Sequence, residues 1–111
     1  MQVTKRVEGK TYIISFDGNL ILSELEQARE FVKKCIDEEN AQEIIFDLSN
    51  VDFIDSAGIG FVVSIFKSLK SKNGNFAIAA LKTKPKEVFK LTRLDKIIPI
   101  FEDVEAAKQS F

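Results

Sequence analysis

The sequence predicts an α/β fold, a mixed β-sheet covered by helices, and three observations lead there. Runs rich in β-branched and aromatic residues, Thr11 to Phe16, Glu43 to Leu48 and Asn75 to Ala79, read as strands. Between them lie segments whose apolar residues recur at three- and four-residue spacing, as on a helix with one buried face. An initial hairpin followed by strand–helix alternation makes the sheet mixed.

In chain order, Gln2 to Glu8 alternates loosely, and Glu8-Gly9-Lys10 turns it into the strand Thr11 to Phe16, giving the hairpin. Asp17-Gly18-Asn19 opens a loop. Ser23 is expected to cap the first helix, with Glu24 and Glu26 suiting its dipole in the first turn. Leu25, Ala28, Val32, Cys35 and Ile36 form its apolar stripe, and it ends near Glu39-Asn40. Glu43 to Leu48 is too apolar to face water on either side and is expected to be central. A second helix runs from about Ala57 to Ser71, with Ile59, Val62, Val63, Phe66 and Leu69 inward, and Asn73-Gly74 closes it. Pro85 is placed at the start of a third helix, Lys86 to Leu94, with Val88, Phe89 and Leu91 inward. Ile97 to Phe101, interrupted by Pro99, is an expected edge strand. Asp103 caps a terminal helix, with Val104 and Ala107 on one face.

The 111 residues suffice for one core, so a single domain, 1–111, is expected. Hydrophobic residues at 45% and charged residues at 30% are those of an ordinary soluble globular chain. Sixteen Lys and Arg against 17 Asp and Glu leave no basic excess, which argues against nucleic acid as a partner. The cluster Lys82, Lys84 and Lys86 reads as a solvated loop, with a docking patch as the alternative. Cys35 has no disulfide partner in the chain, and Phe31, Val32 and Ile36 around it suggest a buried, inert thiol. No segment has the length of a membrane span and the N-terminus lacks a signal-peptide apolar region, so a cytoplasmic location is expected. The absence of histidine excludes a Ser-His-Asp or Cys-His unit and a His-bound zinc; no metal or cofactor is expected. A Ser-x-x-Lys unit at Ser56 is excluded too, since the third residue on is Ile59.

The segment Val51-Asp52-Phe53-Ile54-Asp55-Ser56-Ala57-Gly58-Ile59-Gly60 places a hydroxyl at the turn from a buried strand to a helix. Asp55 is the expected N-cap, with Ser56 and Ala57 the first helical residues. The hydroxyl and the first N–H groups of the helix are then exposed together, a suitable place to put, read or remove a phosphate. Gly58 and Gly60 weaken the helix, which requires an offset: close approach of another surface, or close packing on the sheet. Two readings stay open, Ser56 as a phosphate acceptor and Asp55-Ser56 as a helix cap alone. Phe61 and Ile65 lie roughly opposite Ile59 and Phe66 on the helix. They form either an exposed patch beside the hydroxyl or a surface covered by the terminal helix or the loop after Asn19.

Phe46-Asp47-Leu48-Ser49-Asn50 together with that segment resembles the signature of bacterial anti-sigma factor antagonists, the STAS domain. The likeness covers nearly the whole chain, including Gly18 in the first loop and Leu91 to Ile98 at the late helix and its exit. It implies a STAS-like sandwich with helices packed mainly on one face, and a binding module rather than an enzyme. The implied partner is an anti-sigma factor that is a GHKL-type serine kinase and phosphorylates Ser56. A metal-dependent PP2C-type serine phosphatase reverses the modification. Asp55, Ala57, Gly58, Ile59, Gly60, Phe61 and Ile65 are the implied contacts to the partner. Two positions depart from the pattern: Ala57, where the family often has Ser or Thr, and Ile21, where it usually has Asp. The second favours an alternative, an accessory STAS subunit of a transporter or signalling assembly without a phospho-switch. A small enzyme using Asp47, Asp52 and Asp55 is the remaining reading, opposed by the lack of a Lys or Gly-rich phosphate loop.

Overall fold

The structure, a computed structural model, describes residues 1–111. Strands β1 (Gln2–Glu8) and β2 (Thr11–Asp17) form an antiparallel hairpin, with Gln2 opposite Asp17 and Glu8 opposite Thr11. Helix α1 (Leu25–Asp37) carries the chain to β3 (Glu43–Asn50), which pairs parallel with β2. Helix α2 (Ser56–Ser71) leads to β4 (Asn75–Ala79), again parallel, and α3 (Thr83–Leu91) leads to the short β5 (Ile100–Phe101). Helix α4 (Val104–Gln109) ends the chain. The sheet order β1-β2-β3-β4-β5 makes β3 central, as its composition predicts.

Alternation along the strands sorts the core into two layers. Ile14 and Phe16 of β2, Ile44, Phe46 and Leu48 of β3, and Phe76 and Ile78 of β4 share one cluster with the buried stripe of α1, with Phe61, Val62, Ile65 and Leu69 of α2 and with Phe89 of α3. On the other face Ile13, Ile45, Ala77 and Ala79 pack under Ala107 of α4. The sheet is therefore covered mainly on one face, and the small side chains of β4 let a six-residue helix lie close on the other. No helix is long and apolar enough to cross a membrane.

The α1 stripe lies buried as predicted, Cys35 included, and burial pushes its thiol pKa up. Several expectations need correction. Ser23 does not cap α1; a 3₁₀ turn over Leu22–Glu24 precedes the helix, which starts at Leu25 without a side-chain cap. Helix α3 begins at Thr83, with Pro85 buried inside its first turn, where its missing N–H has no intrahelical acceptor to lose. It stops at Leu91, and Leu91 faces solvent at 84% exposure rather than the core. The last strand shrinks to two residues.

The largest correction concerns α2. Phe61 and Ile65 are not an exposed patch; they are 2% and 7% exposed. The Phe61 ring stacks on Phe46 of β3, with centroids 5.8 Å apart, and meets Phe16 of β2 edge-on at 6.3 Å. Neither the terminal helix nor the loop after Asn19 covers Ile65. It sits in the groove between α2 and α1, beside Ile36, Arg29 and Lys33. Ile59 and Phe66, placed inward by the periodicity, are only half-buried. The helix is rotated relative to that expectation because it packs on the sheet and on α1 at once.

Phe61→Ala is expected to lower unfolding free energy by about 3–5 kcal/mol, and Phe61→Glu to abolish cooperative unfolding, both read by urea titration followed by circular dichroism.

Candidate functional site

The Ser56 turn lies where β3 leaves the sheet, at the carboxyl end of the parallel strands. Buried Val51 and Ile54 pin the connection between β3 and α2. The segment following β2 runs beside it, joined by a parallel bridge between Leu20 and Ile54. The Leu20 N–H donates to the Phe53 carbonyl at 3.0 Å, and the Asp55 N–H donates to the Leu20 carbonyl at 3.2 Å. The Phe53 N–H donates to Asn19 Oδ1 at 3.2 Å. Two loops from distant parts of the chain are thus laced into one surface.

Asp55 closes the lacing. Its Oδ1 accepts from the Gly58 N–H at 2.9 Å, the expected N-cap bond, and its Oδ2 accepts from the Leu22 N–H at 3.0 Å. One carboxylate therefore holds the first turn of α2 and the segment after β2 together. These bonds, Gly58 first and Leu22 second, hold the Asp55 carboxyl below its ordinary pKa. The charged form is favoured by fixed N–H donors at a helix N-terminus, not by a neighbouring cation.

Gly58 shows which offset explains its place in a helix. A Cβ there meets the Leu20 carbonyl oxygen at 1.9 Å, so only glycine lets α2 approach this backbone. A Cβ at Gly60 meets nothing within 4 Å. Close packing accounts for Gly58 and leaves Gly60, which faces solvent, without an internal reason.

Ser56 is the first residue of α2 and is exposed. Asp55, Ala57 and Ile59 are half-buried around it, Gly60 is exposed, and Gly58, Phe61 and Ile65 lie inside. The turn therefore presents the hydroxyl and Gly60, with Asp55, Ala57 and Ile59 partly accessible, but not Gly58, Phe61 or Ile65, which the resemblance had implied as partner contacts. The three carboxylates of the enzyme reading go separate ways. Asp47 accepts from the Ser49 N–H and the Ser15 hydroxyl, Asp52 pairs with Lys82 at 2.8 Å, and Asp55 caps α2. They assemble no shared site.

The periodicity missed Leu22 and Phe53, exposed by 73% and 49% beside the turn. The Lys84 ammonium lies 4.8 Å from the Phe53 ring centre, and Lys82 reaches Asp52, so two of the three lysines of the basic cluster face this loop rather than open solvent alone. An apolar run of three, Leu20-Ile21-Leu22, inside a loop is the only local signal that pointed to Leu22.

Gly58→Ala is expected to be strongly destabilising, whereas Gly60→Ala stabilises by roughly 0.5–1 kcal/mol through helix propensity; thermal unfolding of the two variants tests the contrast. Asp55 titrates lower folded than unfolded, so its contribution is complete above the ordinary carboxylate range and is lost as pH falls through the folded pKa. The stability gap between wild type and Asp55→Asn is therefore widest near neutrality and narrows in acid, which urea midpoints at several pH values will read.

A STAS domain model matches residues 2–107. A protein of Thermotoga maritima named as a putative anti-sigma factor antagonist is 35% identical over 88 residues, covering 77% of this chain and 78% of the relative. The crystal structure of a Thermotoga maritima protein of the same name superposes with a TM-score of 0.92 at 26% identity, over 97% of this chain and 92% of that one. The Bacillus cell fate determinant SpoIIAA in its phosphorylated form shares the fold, with a TM-score of 0.76 at 22% identity over 99% of this chain and 100% of the other. With the family model spanning nearly its whole length, and with this sheet order and helix placement, the chain belongs to the STAS domain family.

Proposed function

We propose that this chain is an anti-sigma factor antagonist, a single-domain cytoplasmic binding module switched by phosphorylation of Ser56. The observation that carries the reading is the exposed Ser56 hydroxyl at the first position of α2, on a turn that Asp55 fixes from both sides. The names of the Thermotoga relatives and the phosphorylated form of the Bacillus protein support it.

In this reading the unphosphorylated turn docks on an anti-sigma factor that is itself a GHKL-type serine kinase, and the docking frees the sigma factor. The kinase transfers the γ-phosphoryl group of ATP to the Ser56 oxygen; the hydroxyl proton is lost and ADP leaves. The product carries about −1.5 to −2 charge at the helix N-terminus, where the helix dipole tolerates it. The fold is expected to persist because Ser56 is exposed at the start of α2. The partner, by contrast, meets a dianion beside the Asp55 carboxylate where it had met a small hydroxyl. A metal-dependent PP2C-type phosphatase restores the hydroxyl by hydrolysis. ATP and metal belong to these partners. Gly60 gives the partner bare backbone to approach, the offset that internal packing does not supply.

Purified GHKL-type kinases from the source genome, incubated with the protein and ATP, are expected to yield a phosphopeptide containing Ser56 by mass spectrometry. Ser56→Ala abolishes it and keeps binding within about twofold, while Ser56→Asp weakens binding by roughly tenfold, ~1.4 kcal/mol. The melting temperature of the phosphorylated form stays within a few degrees of the unmodified protein. Affinity capture that retains transporter or scaffold subunits equally with wild type and Ser56→Asp, and no such kinase, overturns the phospho-switch in favour of the accessory-subunit reading.

A further inference from the structure

Five large apolar side chains are exposed on this molecule, and two of them, Leu22 and Phe53, flank the Ser56 turn. Isolated exposed apolar residues are ordinary on protein surfaces. These two are set apart by what holds them. The Leu22 N–H is bound by Asp55 and the Phe53 N–H by Asn19, so both backbones are fixed by the lacing that positions the phosphate acceptor. They come from loops 31 positions apart in sequence (53 − 22) and meet the same turn. From Gly18 to Ser23 the first loop carries no charge. On the second, the Lys84 ammonium stands over the Phe53 ring. Lys82 is neutralised by Asp52, whereas Lys84 has no carboxylate partner. The turn is thus flanked by two exposed apolar side chains on backbone held by hydrogen bonds, with an unpaired positive charge, Lys84, on the Phe53 side.

We propose that Leu22 and Phe53 are the apolar anchors by which the anti-sigma kinase recognises this chain, and that the kinase meets them with an apolar patch bordered by a carboxylate opposite Lys84. The proposal rests on the anti-sigma reading and deepens it: Ser56 reports the state of the switch, and the two anchors select the partner. The physical basis is desolvation. Covering two exposed apolar side chains on an ordered backbone gains hydrophobic free energy with little loop-ordering entropy to offset it. A carboxylate facing Lys84 steers the approach and disfavours partners with a basic rim. Phosphate on Ser56 places negative charge beside this patch and opposes the same carboxylate, so binding and release act on one surface.

The test uses the purified kinase that phosphorylates Ser56 in the assay above. Its affinity for wild type, Leu22→Ser, Phe53→Ser, Lys84→Glu and Leu91→Ser is measured by titration calorimetry, with thermal melts as fold controls. Leu91 is the matched control: 84% exposed and about two helical turns from Lys84 along α3. Leu22→Ser and Phe53→Ser are each expected to weaken binding by about tenfold or more with melting temperatures near that of wild type. Lys84→Glu slows association, most at low salt, and Leu91→Ser stays within about twofold. Wild-type affinity for Leu22→Ser, with Ser56 still phosphorylated, overturns the anchor proposal and leaves the switch intact. If Phe53→Ser lowers the melting temperature, Leu22→Ser alone decides. If no kinase phosphorylates Ser56, the anti-sigma reading fails and the anchors fail with it.

Discussion

The approach of α2 to the Leu20 backbone is the constraint on which the rest of the site depends. A hydrogen atom at Gly58 is the only substituent that leaves room for the Leu20 carbonyl oxygen. That proximity lets Asp55 cap α2 with one oxygen and hold Leu22 with the other. It also lets Leu20 bond to both Phe53 and Asp55. The carbonyl that crowds Gly58 is itself the acceptor for the Asp55 N–H, so the close contact satisfies a buried polar group instead of stranding one. Helix entry, loop position and exposure of Ser56 thus follow from one contact between residues 38 positions apart (58 − 20).

The aromatic cluster beneath it sets the rotation of α2. Phe46 on the central strand is met by Phe16, Phe61 and Phe76, with ring centres at 4.8, 5.8 and 4.8 Å. Phe61 must point at β2 and β3 to join it, which turns Ile65 toward α1 and leaves Gly60 and Ser64 facing outward. Leu69, two turns further, is fully buried and keeps the same helix against the core at its other end. The helix is therefore anchored along its inward face while the face bearing Ser56 contributes little to stability.

How much of this was legible in the sequence follows from the range of the interactions. The hairpin, the central β3 and the α1 stripe are encoded locally, in alternation or in spacing along one element, and each lies where its pattern places it. The Asp55 cap was equally legible, because donor and acceptor are three residues apart. Phe61 and Ile65 misled because periodicity identifies one buried stripe, whereas a helix packed on a sheet and on a second helix buries two. Leu91 misled for the opposite reason: α3 ends there, so its side chain has no following turn to pack beneath. Ser23 resembled a cap, but the chain makes a 3₁₀ turn before α1 and leaves that serine exposed. Leu22 and Phe53 were invisible as a pair, since their loops are brought together only in the fold, by the Leu20–Ile54 bridge and the hydrogen bonds beside it.

Stability and the proposed recognition consequently fall on different residues at this end of the sheet, with Asp55 the exception. Phe61, Leu20 and Gly58 hold the turn and are buried; Ser56, Gly60, Leu22 and Phe53 are presented by it and are exposed. A presented residue can change, or gain a phosphate, without opening a cavity or stranding a polar group, so partner choice and switching vary at little cost in folding. Asp55 belongs to both sets. Its charge is committed to two backbone donors, which hold its pKa down and keep it ionised beside Ser56. An added phosphate cannot draw on that carboxylate for a proton at neutral pH, so the two negative charges repel. The repulsion is relieved by orienting the phosphate outward, toward whatever is docked there. In the proposed switch, the cap that builds the turn would thereby give the modification its direction, and a phosphate that leaves the core untouched would still alter the surface offered to a partner.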